Sequence, residues 1–253
     1  MVREAMAAAV LLAVSACASP SPDVTVSVYQ TRSDMPLDKI EIQVHNTTSE
    51  PLTVERAQLR SNRFVTETSW NESVDIPAGS AVDLKVQMPP ASCLPDPQDQ
   101  VVVTVRSDGG TQDLTLVPED PLGQLQKYSA TQCFKKDVES TATLKVQGLR
   151  DDRLQVFVDP GQAQVGVMGT TILFQPRDPG ALRAMPGDAA GVRQVALRPN
   201  RCDAHALAED KQGTYFPVSV ALPDGRSGDF TMPVDQRTRV SLYRMFAEEC
   251  GLS

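Results

Sequence analysis

Apolar and polar side chains alternate along much of this chain. Val24-Thr25-Val26-Ser27-Val28, Ile40 to Val44, Val82 to Val86 and Val101 to Val105 are runs of this kind. Successive side chains of an extended backbone point to opposite faces, so such runs predict strands with one face in a core. Pro, Gly, Asn or Asp interrupts them at the roughly 8–12-residue spacing of antiparallel β proteins. Two segments depart from the pattern. Asp120-Pro121 reads as an N-cap followed by Pro at the first helical position. Further on, Val240, Tyr243, Phe246, Ala247 and Cys250 share one helical face, and Gly251 suits the residue that ends a helix. A last β-strand is the alternative for each segment.

The chain also repeats itself. Ile76 to Cys93 (IPAGSAVDLKVQMPPASC) aligns without a gap on Met185 to Cys202 (MPGDAAGVRQVALRPNRC), with Pro second and Cys last. Downstream of each lies a strand–turn–strand pattern. Val101 to Val105 leads through Asp108-Gly109-Gly110 to Leu114-Thr115-Leu116; Phe216 to Val220 leads through Asp224-Gly225 to Phe230-Thr231-Met232. Asp-Gly supplies the positive φ of tight hairpins. Each copy then ends in a cysteine, Cys133 or Cys250. Upstream, Asp38 to Val44 matches Asp152 to Val158 in its apolar positions. The repeat predicts the disulfides Cys93–Cys133 and Cys202–Cys250, one within each copy. Six or seven short strands in about 110 residues resemble an immunoglobulin-like architecture. The expected fold is mainly β: two tandem immunoglobulin-like β-sandwich repeats, each closed by a short C-terminal helix and one disulfide. Trp70 does not lie between cysteines as in antibody domains.

The N-terminus carries the sharpest signal. Ala5 to Val14 is an apolar run of signal-peptide length, too short to span a bilayer, and Val14-Ser15-Ala16-Cys17 follows it. This segment resembles the lipobox of bacterial lipoproteins. The resemblance implies that Cys17 becomes the first residue and carries acyl chains that hold the protein on the extracytoplasmic face of a membrane. Simple cleavage after Ala18, under the small-x-small rule, is the alternative. Expected boundaries are residues 1–16 for the signal peptide, 17–23 for the lipidated tether, and 24–138 and 139–253 for the two sandwiches.

Charge and cysteine usage agree with export. The chain has net charge −8, which Arg3 and Glu4 leave unchanged when both depart with the signal. That surface repels phosphate backbones, so nucleic acid is excluded as a partner. Four cysteines remain after Cys17, an even number, as expected of an oxidising compartment.

The candidate chemistry is sparse. His45 and His205 are the only histidines, and no His-x-x-His or Cys-x-x-Cys pair accompanies them, so no metal or cofactor is expected. The methionines left after export are scattered. Gly79-Ser80 lacks the second Gly of a nucleophile elbow, and the paired carboxylates are merely adjacent in sequence. The chain reads as a non-enzymatic binding or assembly module of the envelope, with membrane lipid and an envelope protein or surface polymer as partners. An envelope hydrolase or a copper- or metal-handling protein is the alternative. The expected binding surface is the loop from Asn62 to Ser73, with Arg63, Phe64 and Trp70, residue types enriched at interface hot spots. Packing of Phe64 and Trp70 into the first core is the competing reading. Asn46 to Leu52 is a second candidate loop, and Pro176 to Gly191 reads as mobile.

Overall fold

A computed structural model describes residues 24–203, 205–206 and 215–252. The signal segment, Cys17 and its tether therefore lie outside the described residues. The first half contains β1 (Val24–Tyr29), β2 (Lys39–Asn46), β3 (Leu52–Ser61), β4 (Thr68–Trp70), β5 (Val74–Ile76), β6 (Ala81–Gln87), β7 (Asp99–Ser107) and β8 (Gly110–Leu116). Helix α1 (Gln124–Thr141) follows. The second half contains β9 (Thr143–Arg150), β10 (Arg153–Asp159), β11 (Gln164–Met168), β12 (Phe174–Pro176), β13 (Gly191–Pro199), β14 (Tyr215–Ala221), β15 (Ser227–Pro233) and α2 (Gln236–Cys250).

The strands form four antiparallel sheets. In the first half, β1-β2-β6 faces β4-β3-β7-β8, with β5 also on β3. In the second, β12-β13-β10-β9 faces β11-β14-β15. Inward residues of each facing pair meet in one core: Val26, Ile42 and Leu84 meet Leu59, Val103 and Val105, while Leu154, Val156 and Val195 meet Val165, Phe216 and Val218. The alternation read from sequence is thus the alternation between core and surface. The chain is mainly β, as expected. Its disulfides join Cys93 to Cys133 and Cys202 to Cys250, the pairing the repeat predicts, with Cα–Cα distances of 5.7 and 5.2 Å.

Both terminal segments are helical, each with a difference from expectation. The N-cap of α1 is Gly123 rather than Asp120, although the Asp120 carboxylate still accepts from the backbone N–H of Gln124 at 2.7 Å and Leu125 at 2.9 Å. Nor is Pro121 the first helical residue. Gly123 at φ 60° intervenes, and the helix starts at Gln124. In α2 the buried stripe is Leu242, Met245 and Phe246, while Val240 is 47% exposed. Asp235 caps this helix through Thr238 N–H, and Gly251 ends it at φ 64°.

Helix α1 belongs to both halves. Leu125 and Tyr128 pack in the first core; Phe134 and Val138 pack in the second. The expected boundary after residue 138 falls inside this helix, which continues to Thr141. Only Ala142 separates it from β9. The turn after β10 closes tightly on the helix end: Gly161 has φ +52°, and a Cβ there would sit 2.0 Å from the Thr141 carbonyl oxygen. Only glycine fits that approach.

The segment from Pro176 to Gly191, expected to be mobile, is anchored instead. It turns through a short 3-10 helix at Pro179–Leu182, capped by the Asp178 side chain, and buries Leu182 and Ala184. Ala184 forms a bridge to Val165 through hydrogen bonds of 2.9 and 3.0 Å. Its Gly, Pro and Ala content reflects tight turns under the sheet edge rather than looseness.

Candidate functional site

The residues singled out from sequence do not form an exposed patch. Phe64 is 6% exposed and sits in the first core, its ring 6.0 Å from that of Tyr128. The backbone explains this. The loop after β3 is strapped to residues 90–92 by Val65 N–H to the Pro90 carbonyl and Ser92 N–H to the Arg63 carbonyl, which turns Phe64 inward. Arg63 is committed within the fold, its Nε lying 3.0 Å from Asp99 Oδ2. Trp70, on β4 opposite Ala57, is half-buried against the first core. Phe64 thus packs as the competing reading has it, while Arg63 and Trp70 remain partly exposed beside the first core.

The other flagged residues are dispersed. Asn46 is fully buried and organises its loop, its Nδ2 donating to the carbonyls of Glu50 and Ile76 at 2.8 and 3.1 Å. His45 Nε2 lies 3.3 Å from the Gly79 carbonyl, and His205 belongs to the other half. Among the described residues, no three His, Cys, Asp or Glu side chains converge as a metal set would. No described helix is long and apolar enough to cross a membrane.

What the fold does build is a cleft between the halves, of about 460 Å³. One face of α1 contributes Gln124, Lys127, Tyr128 and Thr131, spaced three and four apart as a single helical face requires. The first half adds Gln30, Met35 and Asp38 from the β1–β2 connection. The second adds Tyr215 and Thr231 from β14 and β15. Asp38 and Lys127 are its two charges, so the lining is close to neutral overall. Burial, with the neighbouring Asp38 carboxylate, pushes the Tyr128 hydroxyl up to about 12. Tyr128 thus stays protonated beside the Asp38 carboxylate. No sequence signal marks this cleft, because three distant segments of ordinary composition converge on it.

The wall carrying Met35 and Asp38 is held by a polar cluster on the outer face of β1-β2-β6. Tyr29, Glu41 and Lys85 stand side by side across the three strands. Asp34 folds over them, fully buried, and Lys85 Nζ reaches its Oδ1 at 2.8 Å and Glu41 Oε1 at 3.0 Å. Thr31 completes the hold, donating to Asp34 Oδ2 from its hydroxyl and its backbone N–H. Burial alone would raise the Asp34 pKa, but Lys85 and Thr31 overcome it and keep the group below the ordinary aspartate value. The same contacts raise the pKa of Lys85. Burial and a hydrogen bond to Asp83 push Tyr29 to about 12.

No protein-family model matches the chain, and no curated protein does either. Among solved structures, the YadV chaperone aligns over 84% of this chain and 100% of its own at 10% identity, with a TM-score of 0.22. The E. coli chaperone DraB aligns over 78% of this chain and 89% of its own at 10% identity and a TM-score of 0.20. A red sea bream transglutaminase aligns over 85% of this chain but 32% of its own, at 11% identity and a TM-score of 0.24. Scores this low do not define a common fold.

Proposed function

We propose that this protein is an extracytoplasmic, lipid-anchored binding module without catalytic activity, built from two immunoglobulin-like sandwiches that arose by duplication. Strand order supports the duplication. β1-β2-β6 and β3-β7-β8 in the first half correspond to β9-β10-β13 and β11-β14-β15 in the second. In the second half β12 extends the first of these sheets, giving the four-plus-three arrangement of immunoglobulin constant domains. In the first half β4 and β5 pair with β3 instead. A helix follows the last strand of both and carries the second cysteine of that half's disulfide. The lipobox-like Val14 to Cys17 and two closed disulfides support the location.

The observation that carries the functional reading is the cleft. Helix α1 is shared by both cores, so it fixes the two sandwiches around a recess lined mostly by amides, hydroxyls and two tyrosines. Such linings recognise a partner by hydrogen bonding and aromatic contact. A photo-crosslinking residue at Thr131, in the cleft, should give a discrete adduct in intact cells, and one at Glu139, elsewhere on α1, should give none. Equal labelling from both positions, or none from Thr131, would reject the cleft as the binding site.

A further inference from the structure

Each of the four sheets has two edges, one of them shared by β4 and the three-residue β5, and the unpaired N–H and C=O groups of an edge are a template for another chain. Seven of these eight edges are blunted. β4 and β12 are three residues long. β1 is bridged to Glu119, while β11 is irregular and bridged by Ala184. β9 is bulged and packs against both helices. β15 ends in Pro233 and lies against α1. β6 carries Asp83 and Lys85 and lies beside β4, whose Thr68 hydroxyl donates to the Gln87 carbonyl at 2.7 Å.

β8 is the exception. Its seven residues pair with β7 without a bulge, contain no Pro, Lys or Arg, and have no partner strand on the outer side among the described residues. Ser107 and Gly110 close the hairpin with a two-residue turn, which makes them a hydrogen-bonded pair. The alternate residues Thr111, Asp113 and Thr115 then direct their N–H and C=O groups away from β7.

Two features describe what this edge would accept. Where β8 begins, the seam between the sheets opens into a pocket of about 330 Å³ lined by Val24, Leu52, Val105 and Gln112, together with Glu50 and Asp108. The charge along the edge is acidic: from residue 107 to 123 the charged side chains are Asp108, Asp113, Glu119 and Asp120, while Arg106, opposite Thr111 on β7, is paired with Glu55 at 2.7 Å. We propose that β8 is the docking edge for an extended, basic segment of another protein, which adds to the sheet as a strand and places an apolar side chain in this pocket. A second copy of this chain would bring an equally acidic edge against it. This site is separate from the cleft and stands whatever the cleft binds.

The test uses the full-length protein in detergent micelles. Two fluorescein-labelled peptides, one alternating valine with lysine and one alternating valine with glutamate, are titrated and followed by anisotropy. The lysine peptide should bind saturably, at least about tenfold more tightly than the glutamate peptide, and more weakly as salt rises. Replacing Thr111 and Thr115 together by Pro removes outward donors that the β7–β8 ladder does not use, so binding should be lost while Tm holds. Asp113→Lys should weaken the lysine peptide about tenfold. Absence of saturable binding, equal affinity for the glutamate peptide, or full binding by the double proline variant would overturn the proposal. So would a wild-type dimer that this variant abolishes, since the edge would then belong to a second copy. If the proline variant fails to fold, amide exchange decides: peptide must slow exchange at Thr111, Asp113 and Thr115 in the wild type, and unchanged rates there refute the site.

Discussion

Leu125 and Val138 lie on one helix and are buried in different cores. Their separation of 13 residues corresponds to about 20 Å along the axis, with the Cys93–Cys133 disulfide attached between them. Helix α1 is therefore a beam common to both sandwiches, and the two should unfold together. Gln132→Pro, between the two buried segments, removes the backbone hydrogen bond to the Tyr128 carbonyl and disrupts the helix at a cost of about 3 kcal/mol or more. Calorimetry should show one transition for the wild type and two for the variant. Two transitions in the wild type would mean that α1 does not couple the halves.

Lys85 is the one cation within ion-pairing distance of two buried carboxylates, Asp34 and Glu41, among the described residues. Lys85→Met leaves both without a counter-charge and should lower Tm by roughly 5 °C at neutral pH. Lys85→Arg should retain most of the stability. The pH dependence has a definite sign. Asp34 is held below its ordinary pKa, so its stabilisation is complete above the unfolded value and disappears as pH falls through the lower folded value. The difference in Tm between wild type and Lys85→Met should shrink as the medium is acidified below the ordinary aspartate pKa. A difference that persists undiminished there would show that the ion pairs are not its source.

Much of the architecture is legible in the residues. Val26, Ile42 and Val103 face inward because alternation places them there, and the repeated Cys-ended segments indicate the pairing of Cys93 with Cys133 and of Cys202 with Cys250. The cleft is not legible. Asp34 follows Arg32-Ser33 and reads as a turn residue; its burial depends on Lys85, far along the chain and two strands away. Phe64 misleads for the opposite reason: its polar neighbours predict an exposed loop, but the strap to Pro90 and Ser92 turns it into the core. Long-range contacts of single residues leave no periodic trace, whereas strands and duplications do.

The chain has four tyrosines, and two of them, Tyr29 and Tyr128, have hydroxyls raised to about 12. Burial is the first cause in both, reinforced by Asp83 at Tyr29 and Asp38 at Tyr128. Raised phenol values favour the neutral form, so this stabilisation is full below the ordinary tyrosine pKa and is lost as pH rises through about 12. Absorbance at the phenolate band should therefore show a component ionising near 12. Tyr128→Phe should remove part of it and Asp38→Asn should lower it. A native titration with no component near 12 would place these hydroxyls in water rather than against their carboxylates.

The two disulfides close loops with sequence separations of 40 and 48 residues. In the chain-entropy description each stabilises by about 4 kcal/mol, through the unfolded state. They act on different structures, however. Cys202–Cys250 ties the end of α2 within the second half, while Cys93–Cys133 ties the first half to the helix that also enters the second core. Replacing Cys93 and Cys133 together by Ser should therefore lower Tm and also loosen the coupling between the halves. Replacing Cys202 and Cys250 should lower stability by a similar amount but leave the halves unfolding together, since α1 and its disulfide still join them. Denaturant titrations that follow Trp70 alongside far-ultraviolet circular dichroism separate the two outcomes. Coincident transitions in the Cys93/Cys133 variant would show that α1 couples the sandwiches without help from its disulfide.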